Sequence, residues 1–145
     1  MKDFKATDEL LKNSKNIHLI GIGGAGMYPI AQILFTKGYN LTGSDNNESD
    51  KTAKVRKMGI PITMGHYPEN VDGADLVIYS AAISKDNPEL VSAAEKGIPT
   101  MERSYALGAI TRHFDNVIGV CGTHGKTTVT SMITQVLVEN DFDPS

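Results

Sequence analysis

The run Gly122-Thr123-His124-Gly125-Lys126-Thr127-Thr128 follows the apolar stretch Gly119-Val120-Cys121 and leads into an amphipathic segment, an order of residue types suited to holding a triphosphate. Glycines let successive backbone N–H groups turn into one concavity. A lysine next to them reaches the β and γ phosphates, and the following hydroxyl can ligate Mg²⁺ at a helix N-terminus. ATP is expected at this loop, with Lys126 and Thr127 as the catalytic pair and Thr127 as the metal ligand. Gly122, Thr123, His124, Gly125, Lys126, Thr127 and Thr128 are the nucleotide contacts. The usual pattern has a glycine five residues before the Gly-Lys pair, where this chain has Val120, so a plain glycine turn is the alternative. His124 reads either as a nucleotide contact or as loop filler. Cys121 has no second cysteine to pair with and reads as a small buried residue at a strand end.

A second glycine loop lies upstream. Gly21-Ile22-Gly23-Gly24-Ala25-Gly26 is an intact G-x-G-x-x-G that follows one apolar run and opens another, with Asp45 about 20 residues further on. Taken alone it favours NAD, with the pyrophosphate at the helix N-terminus and Asp45 on ribose hydroxyls. The same physics serves any diphosphate attached to a ribose, a UDP-sugar included. Glycines used only for close helix-to-strand packing are the plain alternative, and Asp45 also reads as a turn residue in Ser44-Asp45-Asn46-Asn47.

Both loops need elements to hold them. The chain has 145 residues, 40% of them hydrophobic, with a net charge of −3, enough for one core. No basic stretch or aromatic ladder points to nucleic acid, no apolar run approaches the roughly 20 residues that span a bilayer, and no signal peptide precedes the first strand. A reducing, cytoplasmic setting is expected. Periodicity predicts helices over 4–13, 26–37, 49–58, 88–96, 104–114 and 125–139, and strands over 17–22, 40–43, 62–64, 75–80, 98–101 and 117–121. This α/β alternation implies a Rossmann-like, doubly wound parallel sheet, then the first strand, phosphate loop and helix of a second domain, with ligands at the carboxyl ends of the strands.

Together the two loops, Gly43-Ser44-Asp45, Gly65-His66 with Asn70, Tyr79-Ser80-Ala81-Ala82-Ile83 and Arg103 resemble the N-terminal part of the Mur ligases over essentially the whole chain. The form Gly23-Gly24-Ala25-Gly26-Met27 resembles the alanine-adding branch rather than the murein-tripeptide-recycling one. Folylpolyglutamate synthases share a similar ATP loop without the preceding Rossmann-like domain.

The resemblance implies that residues 1–113 grip UDP-N-acetylmuramate and that residues 114–145 open the central ATP-binding domain. It further implies an ATP-dependent, acyl-phosphate route to an amide with L-alanine, whose site lies outside this chain. Gly23, Gly24, Ala25, Gly26 and Met27 are then expected on the diphosphate, and Asp45, His66 and Ser80 near ribose, uracil or phosphates. His66 also reads as a solvated turn residue, Ser80 as a strand terminator, and Arg103 as a local cap or pair. The chain reads as a fragment, inactive by itself. Val129, Met132, Ile133, Val136 and Leu137 recur at helical spacing, and self-association through that stripe is expected.

Overall fold

Gly38, Gly59 and Gly97 each end a helical run and are followed within three residues by an extended one, and this punctuation sets the architecture. The computed structural model describes residues 4–144 and divides into two compact units, Met1–His113 and Phe114–Ser145.

In the first unit the order is α1 (Phe4–Asn13), β1 (Asn16–Ile20), α2 (Tyr28–Thr36), β2 (Asn40–Asp45), α3 (Asp50–Lys57), β3 (Ile62–Met64), β4 (Leu76–Tyr79), α4 (Pro88–Glu95), β5 (Thr100–Glu102) and α5 (Arg103–Thr111). A 3₁₀ turn, Pro68–Val71, links β3 to β4. All four strand pairings are parallel and the sheet order is β3-β2-β1-β4-β5. The chain therefore reverses direction across the sheet between β1 and β4, and loops leaving the carboxyl ends there flank a crevice suited to ligands.

Strand alternation sorts β1 between two cores. Ile17 and Leu19 pack with Leu11, Ile30, Leu34, Ala106 and Ile110, while Ile20 packs with Val71, Val77 and Ala93. Burying both faces is what a parallel sheet requires. His18, also in β1, is 1% exposed, a polar residue inside an otherwise apolar strand. Arg112 closes the end of α5 onto α1, its guanidinium donating to both carboxylate oxygens of Asp8.

α3 starts on a reciprocal cap: Thr52 N–H donates to Ser49 Oγ at 3.2 Å, and Ser49 N–H donates to Thr52 Oγ1 at 2.8 Å. Threonine here fills the place usually taken by Glu or Gln.

The second unit contains α6 (Lys126–Glu139), none of whose residues is buried. The expected strand over 117–121 is not formed. A strand is defined by its ladder, and among the described residues no neighbour pairs with this segment, so an apolar run alone does not make one. Val117 and Ile118 are exposed, and Cys121 is likewise exposed rather than buried at a strand end. No helix among the described residues is long and apolar enough to cross a membrane.

Candidate functional site

The loop between β1 and α2 is shaped by what surrounds its glycines. A Cβ on Gly23 would lie 2.5 Å from Thr52 Cγ2, 3.0 Å from Asp45 Oδ2 and 3.2 Å from Ser49 Oγ, so the loop is laid directly on the start of α3. Gly23 N–H donates to Asp45 Oδ2 at 2.9 Å, and Asp45 Oδ1 accepts from Asn47 N–H at 3.0 Å. Asp45 thus serves as a turn residue and as a brace for the loop, with carboxylate lone pairs left over. Gly24 N–H donates to Gly21 O, and Gly24 O accepts from Met27 and Tyr28 N–H. Among the described residues the amides of Ala25 and Gly26 have no hydrogen-bond partner, and both residues are exposed. Met27 is placed in the core, 2% exposed, with only its backbone at the loop.

Arg103, the first residue of α5, faces the same loop. A Cβ on Gly26 would lie 2.8 Å from Arg103 Nη1 and 2.9 Å from its Cζ, and among the described residues the guanidinium has no hydrogen-bond or ion-pair partner. Two free amides beside one uncompensated, half-buried guanidinium supply the donors and the positive charge that an anion such as a phosphate group needs. The loop after β4 lies next to it: Ile83 Cδ1 is within 3.9 Å of where a Gly21 Cβ would stand. Ser80 Oγ accepts from Ala82 N–H at 3.1 Å, so its hydroxyl shapes that turn.

His66 follows β3 and is joined to Asp45 through Gly65, whose N–H donates to Asp45 O at 2.8 Å. Its ring is not a solvated turn group. His66 Nδ1 lies 2.8 Å from Glu89 Oε2, and Glu89 is fully buried. The Glu89 carboxylate also accepts from Ser44 Oγ at 2.8 Å, from Asn70 Nδ2 at 2.6 Å and from His18 Nε2 at 3.2 Å. Burial opposes the charge, and the hydrogen bonds from His18, Asn70 and Ser44 outweigh it, holding the carboxyl below its ordinary value. In the sequence Glu89 is one acid in the first turn of an ordinary helix. The available signal was His18, since a histidine within an apolar strand needs a buried partner.

In the second unit Gly125 caps α6 with φ of 78°, a conformation glycine adopts without penalty. Lys126 Nζ donates to Gly122 O at 2.7 Å and to Thr123 O at 3.4 Å, so the ammonium lies over the loop. Thr123, His124, Thr127 and Thr128 are exposed, and the first-turn amides of α6 point out of the helix start. The donor set therefore fits a nucleotide phosphate chain. Among the described residues no cluster of three or more His, Cys, Asp or Glu could hold a metal ion.

The catalytic-domain model of the Mur ligase family matches residues 16–115, well over half of the chain. The chain belongs to the Mur ligase family. UDP-N-acetylmuramate–L-alanine ligase from Persephonella marina is 48% identical over 131 residues, covering 90% of this chain and 28% of the relative. The enzyme of the same name from Alkaliphilus metalliredigens is 47% identical with the same coverage. The crystal structure of UDP-N-acetylmuramate-alanine ligase from Thermotoga maritima superposes with a TM-score of 0.81 at 39% identity, over 87% of this chain and 29% of that one. A UDP-N-acetylmuramate:L-alanyl-γ-D-glutamyl-meso-diaminopimelate ligase from Neisseria meningitides gives 0.79 at 30% identity, covering 86% and 39%. The chain thus spans about 28% of the length of the curated Mur ligases it matches.

Proposed function

We propose that this chain is the N-terminal part of an ATP-dependent Mur ligase that joins L-alanine to UDP-N-acetylmuramate in peptidoglycan precursor synthesis, with the UDP-sugar held by the first unit and ATP by the loop of the second. The observation that carries the reading is the cradle at the β1–β4 crevice, where the free amides of Ala25 and Gly26 meet the unpaired Arg103 guanidinium. Its donors and positive charge support a phosphate ligand. Support for the particular sugar and amino acid comes from the names of the relatives.

In this reading Gly23 to Gly26 and Arg103 hold the diphosphate, and Asp45, His66 and Ser80 line the uridine side. A carboxylate is a poor electrophile at neutral pH. Transfer of the γ-phosphoryl group of ATP to the muramyl carboxylate gives an acyl phosphate and ADP. Attack by the amine of L-alanine then forms the amide and releases phosphate and a proton. The chain's own part in the second unit is to balance the charge that develops on the phosphoryl group, which Lys126 does once its ammonium leaves the loop carbonyls. Thr127 would hold Mg²⁺, which supplies further charge neutralisation on the phosphates.

Calorimetric titration with UDP-N-acetylmuramate, UDP and NAD tests the reading. Saturable binding of the two uridine ligands without NAD is the expected result, and binding of NAD alone would overturn it.

A further inference from the structure

The buried carboxylate of Glu89 sits behind the uridine side of the crevice, and no step described above uses it. An ionised carboxylate accepts hydrogen bonds only, through about four lone-pair directions. Glu89 has four donors in place: His18 and Asn70 on Oε1, Ser44 and His66 on Oε2. The hydroxyl hydrogen of Ser44 goes to Glu89, so the 3.3 Å approach of Ser44 Oγ to His66 Nδ1 does not supply a proton to the ring. Nδ1 of His66 must then carry the hydrogen itself.

The other ring nitrogen is free. Among the described residues no buried side-chain nitrogen or oxygen lacks a partner, and His66 Nε2 has none, so Nε2 reaches solvent. Glu89 is itself held in place. Its N–H donates to Asn87 Oδ1 at 2.9 Å, and Ser92 Oγ ties α4 to the Pro68 carbonyl at 2.7 Å, in the turn that carries Asn70.

Resting on the UDP-sugar reading, we infer that Glu89 is a positioning residue that locks His66 in its Nδ1–H tautomer, so that Nε2 is presented as a hydrogen-bond acceptor for a neutral donor of the nucleoside, a ribose hydroxyl or the uracil N3–H. The lock favours the less common tautomer, and it directs His66 to the nucleoside rather than to the phosphates, which need donors. A point contact becomes a specificity element through a residue that never touches the ligand.

Glu89→Gln tests this with little change of shape. The amide must turn its NH₂ toward one pair of former donors. Asn70 is pinned by a second bond to Gly65 O, at 3.2 Å, whereas the Ser44 hydroxyl can rotate and His66 can exchange tautomer, so the NH₂ faces Ser44 and His66. Long-range ¹H–¹⁵N correlation spectra of the wild-type chain, at a pH where the rings are neutral, are expected to show His66 as Nδ1–H and the variant as Nε2–H. UDP affinity should fall on the order of tenfold in the variant, the value of one hydrogen bond of this kind. Inorganic pyrophosphate binding should stay within about twofold. In a His66→Ala background the same Glu89→Gln change should alter UDP affinity by less than about twofold. Comparison of UDP with its 2′-deoxy and N3-methyl analogues identifies the donor, since only the analogue lacking it becomes insensitive to Glu89→Gln.

An Nε2–H tautomer in the wild type would overturn the inference, and this readout needs no variant to fold. An undiminished Glu89→Gln effect in the His66→Ala background would reduce Glu89 to a structural role. Failure of the wild type to bind UDP would instead refute the reading beneath it, a result separable from the tautomer because the tautomer is read without ligand.

Discussion

Gly23→Ala and Gly26→Ala add the same methyl group three residues apart, and the structure predicts that they fail differently. At Gly23 the new Cβ would stand 2.5 Å from Thr52 Cγ2, which must retreat by about 1–1.5 Å to reach ordinary carbon contact. Thr52 cannot retreat cheaply. It is fully buried and its Oγ1 accepts the Ser49 amide at 2.8 Å. Overpacking against fixed neighbours costs about 1–3 kcal/mol and loss of the cap about 1 kcal/mol more, so about 2–4 kcal/mol is expected in all. For a unit of this size that lowers Tm by roughly 10 °C. At Gly26 the methyl meets the far end of Arg103, a flexible side chain that can swing aside. Stability should change by no more than about 0.5 kcal/mol, while UDP affinity falls roughly tenfold because the guanidinium has left the cradle. Thermal unfolding by circular dichroism and calorimetric UDP titration of both variants make the comparison. A Gly23→Ala chain melting within about 3 °C of the wild type, or a Gly26→Ala chain as unstable as it, would refute the packing argument.

Four further outcomes are expected. Glu89 has a carboxyl held below its ordinary value of 4.5, so the stability it contributes is complete above that pH and is lost as the pH falls through the lower folded value. Urea unfolding should show a Glu89→Gln cost of about 2 kcal/mol at pH 7 that shrinks on acidification, and a constant cost would contradict the linkage. Lys126→Ala should weaken ATP binding tenfold or more in a fluorescent-nucleotide titration while leaving the unfolding of the first unit unchanged, because its hydrogen bonds are confined to the loop carbonyls. The chain alone should release no ADP from UDP-N-acetylmuramate, ATP, Mg²⁺ and L-alanine in a coupled assay, and turnover would remove the reading of it as part of a larger catalyst. Sedimentation should show self-association that Val136→Glu abolishes, Met132 and Val136 being 63% and 59% exposed on α6, whereas a wild-type monomer at high concentration would exclude that contact.

The order of elements was legible because local signals carry it. Gly38, Gly59 and Gly97 close α2, α3 and α4, and the next strand begins two or three residues after each, so the predicted boundaries of the first unit fall within a few residues of those observed. Both glycine loops stood out in the sequence by their spacing, and each lies at the start of a helix as that spacing implies. Residues 117–121 misled because their composition suits a strand while strand formation depends on a pairing partner. Glu89 was hidden for a related reason. Its partners His18, Ser44, His66 and Asn70 lie 71, 45, 23 and 19 residues away, and in the sequence it is one acid in the first turn of an ordinary helix. Arg103 carried a motif signal but no sign that its guanidinium would lie unpaired against Gly26.

The Lys126 ammonium, lying on the carbonyls of Gly122 and Thr123, changes what nucleotide affinity means at this loop. A phosphate chain entering there exchanges one set of hydrogen bonds for another instead of adding to an empty count, so the measured affinity is a difference between two occupied arrangements. The resting loop is thus held in part by the same side chain that a phosphate would draw away. Variants that lengthen or shorten this side chain would then shift the resting shape of the loop as well as its charge.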